Sequence, residues 1–288
     1  MRGGPAFALW LGVVATSGFV ARVVLQRQAS AARRAIGVPL GEEVHVADKT
    51  YKKKYGDPID LLLLGDSIAA GLGAEKRKRT LGAELASRLA KRTRRSVRLL
   101  TAARVGSETS AVPAQLEDLP DDYTAHVAVV IVGGNDVTHR VRTSESVRHL
   151  TQVLEALHAQ GSAVVVGTCP DLGALRPVPQ PLRSLGRRAS RQLAAAQREA
   201  VTELGGRAVT LADVVGPFFV AQPDEMFSLD RFHPSGAGYR RTAKALLPSV
   251  LAALGYEDRV PFGHHEPAGD QRAEPTGPVL PDDGQLRV

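Results

Sequence analysis

Cysteine is almost absent from this 288-residue chain. The single residue, Cys169, excludes an intrachain disulfide and any zinc or iron–sulfur site built on cysteines. Aromatics are scarce at 5%, with one tryptophan. They do not interleave with the basic stretches, and no helix-turn-helix, RNP or zinc-finger pattern accompanies those stretches, so nucleic acid is not an expected partner. Metal-ligand spacing is missing too: His139, His149 and His158 have no matching carboxylates and read as solvent-facing, and His264-His265 falls in a polar tail. Gly65 and Gly71 do not make a phosphate loop, because no Lys-Ser/Thr follows. No metal or organic cofactor is expected. At 43% hydrophobic and 23% charged, the chain is neither wholly disordered nor a polytopic membrane protein.

Three regions differ in composition. Residues 1–57 hold an apolar stretch and then a basic linker. Residues 258–288 are rich in Pro, Gly, Asp and Glu and read as a disordered tail. Residues 58–257 suit one domain with a sizeable core. The run from Pro5 to Ala21 carries no charge, and Arg22 can snorkel to extend it, so it is expected to anchor the chain in a membrane as a single N-terminal helix. The alternative is a secretory signal cleaved after Ala29-Ser30-Ala31, which Arg22 and Arg27 disfavour. Downstream Arg22, Arg27, Arg33 and Arg34 would leave the domain on the cytoplasmic side by the positive-inside rule; the side is left open.

The net charge of +7 is concentrated between Lys76 and Arg98, where Glu84 is the one acid. Two readings apply: a surface for anionic partners, or the solvated face of a helix that buries Leu81, Leu85 and Leu89 at four-residue spacing.

From Pro58 onward, short apolar runs alternate with helical spacing. Strands are expected at Ile59–Leu64, Val97–Leu100, His126–Val132, Ala163–Val166 and Arg207–Leu211. Helices are expected near Thr80–Arg94, Thr109–Leu119, Ser144–Gln160, Leu185–Leu204 and Pro234–Leu254. The alternation implies an α/β domain, a parallel sheet of about five strands with helices on both faces. Ligands of such sheets lie beyond the carboxyl ends of the strands. Three of those ends carry groups suited to acyl transfer. Ser67 follows the first strand in Gly65-Asp66-Ser67, and Asn135 follows the third in Gly133-Gly134-Asn135-Asp136. Asp230 and His233 precede the last helix, with Pro234 expected at its first position. A carboxylate three residues before an imidazole can hold Nδ1 and leave Nε2 to accept a proton from a serine. Each motif alone is common in turns; their conjunction at strand ends is the signal.

These blocks resemble the SGNH hydrolase superfamily, the GDSL family of esterases and lipases, over about residues 58–256. The first is Leu64-Gly65-Asp66-Ser67-Ile68, the third Gly133-Gly134-Asn135-Asp136, the last Asp230 to His233. The second is matched at Gly106 in Ala103-Arg104-Val105-Gly106-Ser107, where Ala102 and Ala103 replace the asparagine or serine common before that glycine. The resemblance implies a flavodoxin-like three-layer α/β/α domain. It also implies Ser67 as nucleophile, Asp230 and His233 as its partners, and an oxyanion hole of the Ser67 and Gly106 N–H groups and the Asn135 amide. The implied activity is hydrolysis of a carboxylic ester through an acyl-enzyme, on a small-molecule, lipid or glycan substrate. An O-acyltransferase or thioesterase would use the same groups. The alternative of another class is a non-catalytic, membrane-anchored ligand-binding module of this fold. Asp66 and Asp136 are expected to accept backbone N–H bonds that shape their loops. Leu172, Leu175 and Val178 are expected to wall the acyl pocket, and Cys169 to be a small core residue.

Overall fold

Four consecutive leucines set the centre of the molecule. Leu61, Leu62, Leu63 and Leu64 are each no more than 1% exposed. Side chains alternate across a strand, so Leu61 and Leu63 enter one apolar cluster while Leu62 and Leu64 enter another. A strand buried on both faces must be covered by helices on both faces. The computed structural model, which describes residues 20, 22–31, 34 and 44–268, has this arrangement. The apolar run 5–21, apart from Val20, lies outside the described residues, as does the tail from 269 onward. Residues 22–31 are helical. Among the described residues no helix is long and apolar enough to cross a membrane.

The strands are β1 (Lys49–Tyr51), β2 (Pro58–Gly65), β3 (Ser96–Thr101), β4 (Val127–Ile131), β5 (Ala163–Gly167), β6 (Arg207–Val209) and β7 (His264–His265). They form one sheet in the order β1-β3-β2-β4-β5-β6-β7. Pairings from β3 through β6 are parallel; β1 on β3 and β7 on β6 are antiparallel. Periodicity does not indicate the two edge strands, which raise the count above the expected five. They are too short to show alternation, and β7 falls in the stretch read as disordered tail. It is held by side chains instead: Ser249 Oγ meets His264 Nδ1 at 2.7 Å, and Thr210 Oγ1 meets His265 Nε2 at 2.9 Å.

On one face, α2 (Leu81–Thr93) and α10 (Gly236–Ala253) cover Leu61, Leu63, Val129, Ile131 and Val165. Leu81, Leu85 and Leu89 are fully buried. The basic stretch is thus the outer side of α2 and its flanks, and much of it is engaged internally. Arg79 and Arg88 pair with Glu84, Arg92 with Glu257, and Arg98 grips Asp60 with two bonds. On the other face lie α3 (Val112–Glu117), α5 (Thr143–Ala159) and α6 (Leu182–Glu203), which contribute Val112, Leu150, Leu154, Leu157 and Val201. Pro113 falls in the first turn of α3, where the helix needs no N–H. Strand β6 stops at Val209, and Leu211 already begins the short helix α7 (Leu211–Val214).

The strand order reverses beside β2. The chain leaves β2 for β3 on one side and returns to β4 on the other, opening a crevice at their carboxyl ends. There the backbones nearly touch: Asp66 N–H donates to Ile131 O at 3.0 Å, and Gly65 has φ +127°. A Cβ at residue 65 would lie 1.8 Å from the Ile131 carbonyl oxygen. Gly65→Ala is therefore expected to destabilise the fold by on the order of 3 kcal/mol or more, combining backbone strain with overpacking. Urea denaturation checks this; an unchanged midpoint would show that the crevice is looser than its geometry.

Candidate active site

Ser67 sits in the turn that leaves β2. It begins α1 (Ser67–Ala70), whose N-cap is Asp66, with Oδ1 accepting from Ile68 N–H at 2.9 Å. Capping commits that donor and directs the start of α1 toward the crevice. Among the described hydrogen bonds the Ser67 N–H has no acceptor.

His233 reaches the serine from a folded loop between α9 (Pro223–Met226) and α10. A bridge between Phe227 and Pro234, and the Ser228 N–H on His233 O at 2.8 Å, close this loop. Pro234 therefore lies ahead of α10, not in its first turn. Ser235 is the N-cap, accepting from the N–H groups of Ala237 and Gly238, because a hydroxyl satisfies those donors and proline cannot. Within the loop, Asp230 Oδ1 accepts from Ser228 Oγ at 2.6 Å and from the N–H groups of Phe232 and His233, each at 2.9 Å. Its Oδ2 lies 2.6 Å from His233 Nδ1, and His233 Nε2 lies 3.1 Å from Ser67 Oγ. With a carboxylate at Nδ1, the ring proton belongs there, which leaves Nε2 as the acceptor facing the serine. Gly73 permits this docking, since a Cβ there would lie 2.9 Å from His233 Cβ and 2.8 Å from Pro234 O.

Asn135 lies on α4 (Gly134–His139), beyond β4, and its Nδ2 donates to Ser107 O at 2.9 Å. Gly106 occupies the exposed turn closed by Ser107 N–H on Arg104 O, and is not among the residues lining the cavity beside Ser67. Its own N–H has no acceptor among the described hydrogen bonds. Two buried glutamines, which the motifs do not indicate, connect these loops. Gln115 accepts from Gly65 N–H and donates to Gly65 O and Ser107 Oγ; Gln197 donates to Val132 O and accepts from Cys169 N–H. Asp136 accepts from Thr109 N–H and Ser146 Oγ, so both aspartates shape loops as the motifs suggest. Cys169 is buried with Leu193 and Ala194, and burial raises its thiol pKa well above the usual value, which leaves it protonated.

A cavity of about 90 Å³ opens beside Ser67, His233 and Asn135, with walls that include Ile68, Leu172, Leu175, Val215, Phe219 and Phe227. Val178 does not line it. The phenylalanines come from α8 (Gly216–Ala221) and the loop after α9, segments with no local motif to mark them.

The two carboxylates nearest the serine are driven apart. Burial pushes Asp66 up to about 7, opposed by the Ile68 N–H and reinforced by Asp136. Burial also pushes Asp230 up, but hydrogen bonds from His233, Ser228 and the N–H groups of Phe232 and His233 together outweigh it. They hold that carboxyl well below the usual carboxylate range.

The profile of the GDSL-like Lipase/Acylhydrolase family matches residues 63–241. The chain is 34% identical over 253 residues to the GDSL-like esterase Rv1075c of Mycobacterium tuberculosis, covering 86% of this chain and 78% of that protein. Among solved structures it is similar to TesA, with TM-score 0.55 and 23% identity over 68% of this chain and 99% of that one. It is also similar to a variant of Axe2, an acetyl xylan esterase from Geobacillus stearothermophilus, with TM-score 0.53 and 17% identity over 70% and 97%. At such identities the structural likeness is one of fold.

The position of Asp66 predicts a pH-dependent effect. A carboxyl raised in the fold holds its proton where the unfolded chain has lost it, so stability falls as pH rises from about 4 through about 7. Asp66→Asn keeps an acceptor for Ile68 and removes the charge. It should gain on the order of 1–3 kcal/mol relative to wild type at pH 8 and little at pH 4. Thermal melts across that range test this, and a gain independent of pH would contradict it.

Proposed function

The chain belongs to the GDSL-like Lipase/Acylhydrolase family and is a serine esterase, a hydrolase of carboxylic esters; from that premise we propose that Ser67 is its nucleophile, His233 its base, and Asp230 the group that orients the base. The observation that supports these roles is the unbroken chain from Asp230 Oδ2 through His233 to Ser67 Oγ, at 2.6 and 3.1 Å, beside an apolar cavity. As Ser67 Oγ attacks the ester carbonyl, His233 Nε2 takes its proton. The imidazolium then returns that proton to the departing alcohol, leaving Ser67 acylated. Water, deprotonated by His233, attacks the acyl carbon, and the same proton restores the Ser67 hydroxyl as the acid leaves.

The oxyanion is met by the Ser67 N–H, the Asn135 amide and the Gly106 N–H. Support for the first and third is that neither has an acceptor among the described hydrogen bonds. Support for Asn135 is its attachment to the turn carrying Gly106, through Ser107 O. Donors fixed before the reaction need no reorganisation as charge develops.

The acyl group occupies the cavity walled by Leu172, Leu175, Phe219 and Phe227, and the substrate is a small or lipid-like ester. Segment 5–21 anchors the enzyme in a membrane. Support comes from its uncharged sequence of 17 residues, which Arg22 can extend by snorkelling.

The full chain should hydrolyse p-nitrophenyl esters, with kcat/KM rising about fourfold per methylene until the cavity fills and falling thereafter, as about 0.8 kcal/mol per buried methylene implies. Ser67→Ala should abolish turnover and fluorophosphonate labelling, and Asn135→Ala should lower kcat about 100- to 1,000-fold. Hydrolysis surviving in Ser67→Ala would refute the nucleophile assignment.

A further inference from the structure

Asp230 can orient His233 only if the carboxylate is itself held. Three donors converge on Oδ1, and two of them are the backbone N–H groups of Phe232 and His233. The third and shortest contact, at 2.6 Å, is the Ser228 hydroxyl. We propose that Ser228 is a positioning residue for ester hydrolysis: its hydroxyl completes the set of donors on Oδ1, so that Oδ2 is the oxygen presented to His233 Nδ1. This rests on the reading of Ser67, His233 and Asp230 as nucleophile, base and orienting acid.

The position suits that task. Ser228 is half-buried and, together with Asp230, lines a groove whose other walls include Glu75, Arg176, Asp224, Glu225 and Arg231. Its backbone is fixed independently of its side chain. Ser228 N–H donates to His233 O, and Ser228 O accepts from Arg231 N–H at 2.9 Å. Replacing the side chain therefore removes the bond to Asp230 and leaves the loop closed. The hydroxyl also withdraws charge from the carboxylate. Without it Asp230 is the stronger partner for an imidazolium, and a higher pH is needed to free Nε2 for catalysis.

Other charged and titratable groups around the pair are unchanged by the substitution. They are Asp66 beneath Ser67, Glu75 on the loop after α1, Asp224 and Glu225 on α9, and Arg231 on the turn. Arg176 and His45 line the same groove, and the buried Tyr239 of α10 feels the charge of Asp230.

The test is the pH profile of kcat/KM for the full chain on a p-nitrophenyl ester. Ser228→Ala is expected to lower kcat about three- to tenfold with KM nearly unchanged, and to move the acid limb upward by about half to one pH unit. Ser228→Thr, which keeps a hydroxyl, should restore both. A uniform loss of rate with the acid limb unmoved, or a threonine variant that behaves like alanine, overturns the proposal. If thermal melts show Ser228→Ala unfolded, Ser228→Cys, close in size and a poor donor, is read the same way. Hydrolysis retained by Ser67→Ala would overturn the underlying assignment as well. A Ser67-dependent enzyme with an unmoved limb overturns the role of Ser228 alone.

Discussion

The contact on which the rest of this structure depends is between two backbones. Strand β2 meets β4 in parallel register, Gly65 opposite Ile131, and the chain turns away from the sheet immediately afterwards. Because the strand order reverses here, the loops after β2 and β4 diverge to opposite faces and leave a crevice at the sheet edge. Ser67 follows one of these strands and Asn135 the other, and both line the cavity there. Only a residue without Cβ lets Asp66 N–H reach Ile131 O. The approach that makes the crevice narrow also fixes its two walls.

Loops at such an edge run out of ladder partners, and their polar groups must be satisfied by side chains. Gln115 and Gln197 do this from within the core. Each is fully buried, and each amide both accepts from and donates to backbone. Gln115 caps Gly65 as a neighbouring strand would and bonds Ser107, so it ties the segment before the serine to the segment before Thr109. A buried amide is tolerable when its bonds are made and costly when they are not. Apolar residues could fill these positions but could not tie one loop to the next.

The division between ladder bonds and side-chain bonds decides which parts of the molecule are legible in its sequence. Strands β2 and β4 are legible because unbroken runs such as Leu61–Leu64 and Val127–Ile131 suit a strand covered on both faces. Helix α2 is legible because Leu81, Leu85 and Leu89 recur at its period. Ser67, Asn135, Asp230 and His233 stand out because each sits in a short local motif, and they do meet at one place. Ser228 and the glutamines carry no such mark. Their roles are side-chain bonds to backbone or carboxylate, which follow no period. Gly106 is matched by its neighbours in sequence, yet the turn it occupies is exposed. The cavity walls are legible only in part: Leu172 and Leu175 follow a strand, whereas Phe219 and Phe227 arrive from a remote segment through packing alone.

The two aspartates beside Ser67 show why burial by itself does not decide the state of a carboxyl. Asp66 is enclosed near Asp136 and is pushed up to about 7. Asp230 is also desolvated, but four donors surround it, and it remains an anion far below that value. Donors aimed at the charged form offset what burial takes away, and a second acid nearby adds to the penalty. The difference fits their places. An anion suits the role proposed for Asp230, beside the imidazole that would take the proton of Ser67.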